Sequence, residues 1–176
     1  MVNYLVLVNK NNPIPDNWNV NLVSIKNVFD EDIEVEEEAY KHYLMLKKDL
    51  KNNNINIEID SSYRSIEKQQ EMLEKYTEKY AAIPGYSEHH TGLAIDICLV
   101  VDGKLIIENE DMLNREDVFI KIYKYLPKYG FILRYPKGKE NIIGYNYEPW
   151  HIRYVGNIAQ HIMDNDLTLE EYLKGE

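Results

Sequence analysis

The 176-residue chain has one cysteine, Cys98, so an internal disulfide framework is excluded and the redox compartment stays open. It has no apolar run long enough to cross a bilayer. The early stretch Tyr4-Leu5-Val6-Leu7-Val8 is too short for the apolar region of a signal peptide, and no basic flank precedes it. The expectation is a cytoplasmic protein; with an export signal removed, it would belong at the cell surface. Cations are scarce: 20 Lys and Arg face 30 Asp and Glu, for a net charge of −10. Counterion release would therefore oppose binding to a nucleic-acid backbone, and no basic stripe interleaved with aromatics offsets that. There is no internal repeat, no low-complexity tract and no Pro/Gly/Ser-rich linker, so residues 1–176 read as a single domain around one core. A His-Glu-x-x-His run is also missing, which excludes a zinc site carried on one helix.

The periodicities that are present describe an α+β fold. Leu5 to Val8 suggests a first short strand, followed by a loop punctuated by Pro13 and Pro15. From about Val35 to Asn52 the spacing predicts a helix, with Ala39, Tyr43, Leu46 and Leu50 on one face. Ile55, Ile57 and Ile59 alternate with polar residues, as in a half-buried strand. Ser65 then caps a helix whose expected buried stripe is Ile66, Leu73, Tyr76 and Tyr80, with Gln69 also pointing inward. Leu93 to Val101 and Lys104 to Ile107 flank Asp102-Gly103, the strongest short hairpin signal. Asn114 is expected to cap a helix through about Leu126, stopped by Pro127 and Gly130. Phe131–Arg134 and His151–Val155 read as strands, and Thr168-Leu169-Glu170-Glu171 is a capping box. Helices among hairpin-linked strands imply a mainly antiparallel central sheet flanked by helices.

Two short segments carry chemistry: Ser87-Glu88-His89-His90-Thr91-Gly92-Leu93-Ala94-Ile95-Asp96, and Glu148-Pro149-Trp150-His151. Together they offer two imidazoles and a carboxylate as metal ligands, plus a spare carboxylate. A catalytic zinc site needs that inventory: three protein ligands, an open position and a nearby base. On an extended strand Asp96 shares a face with Ala94 and Cys98, while Leu93, Ile95 and Ile97 take the other. Neighbouring His89 and His90 point opposite ways in an extended chain, so at most one reaches a metal. His42 and His161 read as surface or hydrogen-bonded residues, and Cys98 as a small buried hydrophobe.

Ser-x-His-x-x-Gly-x-Ala-x-Asp, followed about fifty residues later by Glu-Pro-Trp-His, resembles the VanY-type D-alanyl-D-alanine carboxypeptidases. Their wider group also holds D-Ala-D-Ala dipeptidases, phage endolysin peptidases and the hedgehog signalling domain. Ser62-Tyr63-Arg64-Ser65, Gln69 and Gly130 to Pro136 extend the similarity over most of residues 60–156. The resemblance implies that His89, Asp96 and His151 hold Zn2+ and that Glu148 is the general base. It implies Arg64 beside the scissile carbonyl or a carboxylate, with Ser87 and Gln69 binding the peptide terminus. The implied activity is removal of a C-terminal D-alanine from peptidoglycan precursors, with D-Ala-D-Ala as a further substrate. The missing signal sequence fits the bifunctional carboxypeptidase/dipeptidases of vancomycin resistance. The alternatives are an L,D-carboxypeptidase trimming tetrapeptide stems, an endolysin-type endopeptidase, and a zinc-stabilised binding module without turnover.

Overall fold

Residues 2–76 and 82–175 are described by the computed structural model, with Tyr76 by its backbone alone. Strand β1 (Leu22–Lys26) pairs antiparallel with β2 (Asp32–Glu36) as a separate hairpin. Helix α1 (Glu37–Asn52) follows at once, its start fixed by the Glu36 carboxylate accepting from Ala39 N–H at 2.8 Å. Ala39, Tyr43, Leu46 and Leu50 are buried on one face, as their spacing predicts. Strand β3 (Asn56–Ser61) leads through a loop to α2 (Ile66–Tyr76), where Ser65 Oγ accepts from Lys68 N–H at 3.1 Å. A single 3-10 turn (Glu88–Thr91) opens the long strand β4 (Ala94–Val101), which turns at Asp102-Gly103 into β5 (Lys104–Ile106). Both turn residues have positive φ, the geometry a two-residue hairpin requires. Short helices α3 (Asn109–Leu113) and α4 (Glu116–Tyr123) precede β6 (Phe131–Leu133). Then come α5 (Glu140–Ile143), β7 (His151–Tyr154), α6 (Ala159–Asp164) and α7 (Leu169–Lys174). The capping box at Thr168 is formed as its sequence predicts.

The main sheet is antiparallel in the order β3-β4-β7-β6, with β5 also paired to β4. Strand alternation divides its two faces. Ile57, Ile59, Ile95, Ile97, Leu99, Phe131, Leu133, Ile152 and Tyr154 join the α1 stripe, Phe119 and Ile122 in the main core. Asp96, His151, Arg153 and Arg134 alternate with these residues and so belong to the opposite side. There Ile132 and Val155 meet Ala159, Ile162 and Leu169 in a smaller core.

Four expectations are corrected. Leu5–Val8 is not a strand: Arg153 Nη2 takes the carbonyls of Tyr4 and Val6 at 3.0 and 2.9 Å, so a guanidinium stands where a neighbouring strand would. The segment expected to be loop contains the β1–β2 hairpin. Ile66 is 49% exposed rather than buried, because α2 turns Gln69 inward; Tyr80 lies outside the described residues, as does the side chain of Tyr76. Asn114 caps the C-terminus of α3, its N–H bonded to Glu110 O at 3.0 Å, and α4 starts two residues later.

Candidate active site

The sheet register creates the site. Asp96 on β4 is directly paired with His151 on β7 and, across an irregularity in β3, with Ser61. His89 enters from the 3-10 turn, which ends at Gly92 with φ +72. A Cβ at Gly92 would stand 2.9 Å from Leu22 Cδ2 and 3.5 Å from Glu36 N, so glycine lets the turn pack against the hairpin. Gly92 O also accepts from Glu36 N–H at 3.0 Å.

His89, Asp96 and His151 each offer one donor atom, and these atoms lie within 4.8 Å of one another. His89 Nε2 is 3.2 Å from Asp96 Oδ2, and His151 Nδ1 is 3.1 Å from Asp96 Oδ1. Tetrahedral zinc with bonds of about 2.0–2.1 Å sets neighbouring donors about 3.3 Å apart. Asp96 Oδ1 is buried and makes no hydrogen bond, its approach to His151 being close but not aligned as one. An electron-rich oxygen left so among ring nitrogens is the arrangement a divalent cation satisfies, and the residues fit one.

Hydrogen bonds on the far side of each ring select the inward nitrogen. His89 Nδ1–H donates to Ser62 O at 2.7 Å, leaving Nε2 toward Asp96. His151 Nε2–H donates to Glu88 Oε2 at 3.0 Å, leaving Nδ1 inward. Burial, helped by Arg64, pushes the His89 pKa down and keeps the ring neutral, as a ligand must be. Burial would raise the Asp96 carboxyl, but His89 and His151 hold it far below the usual carboxylate range. Burial likewise disfavours charge on His151, yet Asp96 and Glu88 at its two nitrogens hold its pKa up to about 10. To hold a cation, His151 would have to give up its Nδ1 proton.

His90 faces away: Nδ1–H donates to Arg64 O at 2.6 Å and Nε2 accepts from Gly85 N–H at 3.0 Å. Both nitrogens are used inside the protein. Glu148 approaches from the turn before β7, its Oε2 3.6 Å from His151 Nδ1 and its side chain 32% exposed. Burial, with Asp96 and Glu88 nearby, pushes its pKa up to about 7, against the pull of His151 and Arg64. Arg64 is half-buried, with Asp96, Glu148 and Asp60 as its nearby charges. Its guanidinium donates to Gln69 Oε1 at 2.8 Å and Ser61 Oγ at 3.3 Å. Gln69 is fully buried, its amide NH2 donating to Ala82 O at 2.7 Å. Ser87 is buried at the mouth of the turn, and its hydroxyl makes no capping bond. His42 donates to or accepts from nothing catalytic: its Nδ1 meets Tyr129 O at 3.1 Å. His161 is exposed and Cys98 buried.

Residues 32–157 match the family VanY, D-alanyl-D-alanine carboxypeptidase. The chain belongs to the VanY family. It is 35% identical to the bifunctional D-Ala-D-Ala dipeptidase and carboxypeptidase VanXYC of Enterococcus gallinarum, covering 97% of this chain and 94% of that protein. The solved L,D-carboxypeptidase LdcB superposes with a TM-score of 0.85 at 36% identity, covering 98% of this chain and 86% of that one. A mutant of the vancomycin-resistance D,D-pentapeptidase VanY, solved in complex with Zn(II), superposes with a TM-score of 0.79 at 33% identity, over 97% and 98% of the two chains.

Behind this VanY-family site lie four buried charges that the motifs alone do not reveal. Glu88, Arg134, Arg153 and Glu170 form one network behind His151. A signal was present: Arg134 ends the apolar run Phe131–Leu133, and Arg153 interrupts Ile152–Val155. An arginine inside a buried strand demands a buried acid.

Proposed function

We propose that this chain removes the C-terminal D-alanine from peptidoglycan precursor peptides ending in D-Ala-D-Ala, and that it also cleaves D-Ala-D-Ala itself. It is a zinc metallopeptidase of the D-alanyl-D-alanine carboxypeptidase type. His89 Nε2, Asp96 and His151 Nδ1 would hold the ion. Bound there, zinc supplies a Lewis acid that polarises a carbonyl and makes water a nucleophile at neutral pH.

The observation that carries the reading is the placement of Glu148. It faces the ligand side of His151, 3.6 Å from Nδ1, and its side chain keeps access to solvent. From there it takes a proton from the attacking water and returns it to the leaving amine. Arg64 supplies fixed positive charge for the developing oxyanion or for the peptide carboxylate. Gln69 contributes through Arg64: its oxygen holds the guanidinium and its other end anchors to Ala82. Ser87, whose hydroxyl is not used to cap the turn, would meet the substrate terminus.

The test is incubation of purified protein with a muramyl pentapeptide, with products identified by mass. Release of one D-alanine is expected; an unchanged pentapeptide overturns the assignment. A second reading, an L,D-carboxypeptidase, is favoured by the close superposition on LdcB. Cleavage only of a stem ending in a single D-alanine would select it.

A further inference from the structure

Glu88 is wholly buried, and its two oxygens keep different company. Oε1 accepts from Arg134 Nε and from Arg153 Nη1, each at 2.6 Å. Oε2 accepts the Nε2–H of His151 at 3.0 Å. Each arginine is pinned in turn. Glu170 grips Arg134 through two bonds of 2.7 and 2.8 Å and also accepts from the Asn9 amide at 3.0 Å. Arg153 is tied to the carbonyls of Tyr4, Val6 and Tyr154. Two guanidiniums and two carboxylates sum to zero charge, so the network can stay out of water. The carboxylate is therefore clamped on one side and offers a fixed acceptor on the other.

We propose that Glu88 is a positioning residue that decides which nitrogen of His151 is open to a metal ion. The inference rests on the metal-site reading above. A histidine ring has two nitrogens and, when neutral, one proton. Glu88 claims that proton at Nε2, so Nδ1, the atom facing Asp96, presents its lone pair.

Glu88→Gln tests this because the arginines dictate how the amide must sit. Two N–H donors converge on the Oε1 position, so the amide oxygen has to occupy it. The NH2 then faces His151 Nε2, which must accept, and the ring proton moves to Nδ1 on the metal side. Zinc affinity, measured by competition with a chromophoric chelator, is expected to fall about 10- to 100-fold. Glu170→Gln is the comparison: it removes a charge from the same network one arginine further out and leaves Glu88 on His151. It should lower the melting temperature yet bind zinc like the wild type. Unchanged affinity in Glu88→Gln, or equal affinity loss in both variants, would overturn the proposal.

A second measurement does not depend on any variant folding. Nitrogen NMR of histidine-labelled, zinc-loaded wild-type protein should show His151 protonated at Nε2, with Nδ1 carrying no proton and shifted as a metal-bound nitrogen. A proton on Nδ1 overturns the inference. Wild-type protein that takes up no zinc in the same titration would instead bring down the metal-site reading, so the two failures are distinct.

Discussion

Glu148 and Arg64 occupy one cleft with opposite charges, and substitution separates their tasks. Glu148→Gln keeps the shape and the neighbouring ligands while removing the proton acceptor. Zinc content should stay at the wild-type level and kcat should drop about 10²- to 10⁴-fold. Wild-type turnover would exclude Glu148 as the base, and loss of zinc would make it a ligand. Arg64 is held in a plane by Gln69 and Ser61. Lysine carries the charge but cannot make that fork, so Arg64→Lys should lose nearly as much kcat/KM as Arg64→Ala. Near-silent variants would mean that Arg64 only braces the start of α2. His89, Asp96, His151, Glu148 and Arg64 were all legible as types in the sequence. Glu88 was hidden beside His89, since a carboxylate next to a ligand reads equally well as a solvated charge until its partners Arg134, just after β6, and Arg153 and His151 on β7 are known.

Elements were legible where one neighbour or one face decided them. The α1 stripe, the Asp102-Gly103 hairpin and the Thr168 capping box depend on local spacing, and all three formed. The N-terminal segment misled because its alternation is genuine. Val6 and Val8 are buried in the main core, while Leu5 and Leu7 pack against the smaller one. Its carbonyls nevertheless go to an arginine from β7 rather than to a strand. The turn between Glu88 and Gly92 shows the converse, a local motif serving a distant contact. Gly92→Ala combines positive φ with an approach of 2.9 Å to Leu22. It should cost about 1–3 kcal/mol in denaturant unfolding and weaken zinc binding by shifting His89. A silent alanine there would mean that the β1–β2 hairpin yields without moving the turn.

Across the whole molecule, the network behind the site joins the sheet to the N-terminal segment and α7, so binding at the site should stabilise the entire fold. An ion at 100 times its dissociation constant contributes about 2.7 kcal/mol. For a chain of this size that corresponds to about 5–10 °C in Tm, which chelation should remove and added zinc restore. A Tm indifferent to chelator, with zinc shown to leave, would uncouple the site from the fold. With Arg64 and Ser87 in the substrate-binding roles proposed for them, the pocket should also require a free peptide carboxylate. The amidated pentapeptide should be cleaved on the order of 10⁴-fold less well, because the site's polar groups would be left unpaired. Equal cleavage of acid and amide would point to an endopeptidase instead. Ligand types, helix faces, turns and caps follow from residues a few positions apart, because covalent spacing and backbone period set them. The pairing of Asp96 with His151, the outward turn of His90 and the clamp on Glu88 arise between segments up to 65 residues apart in sequence. They exist only once the strands have found their register, because buried charges choose partners by distance in space.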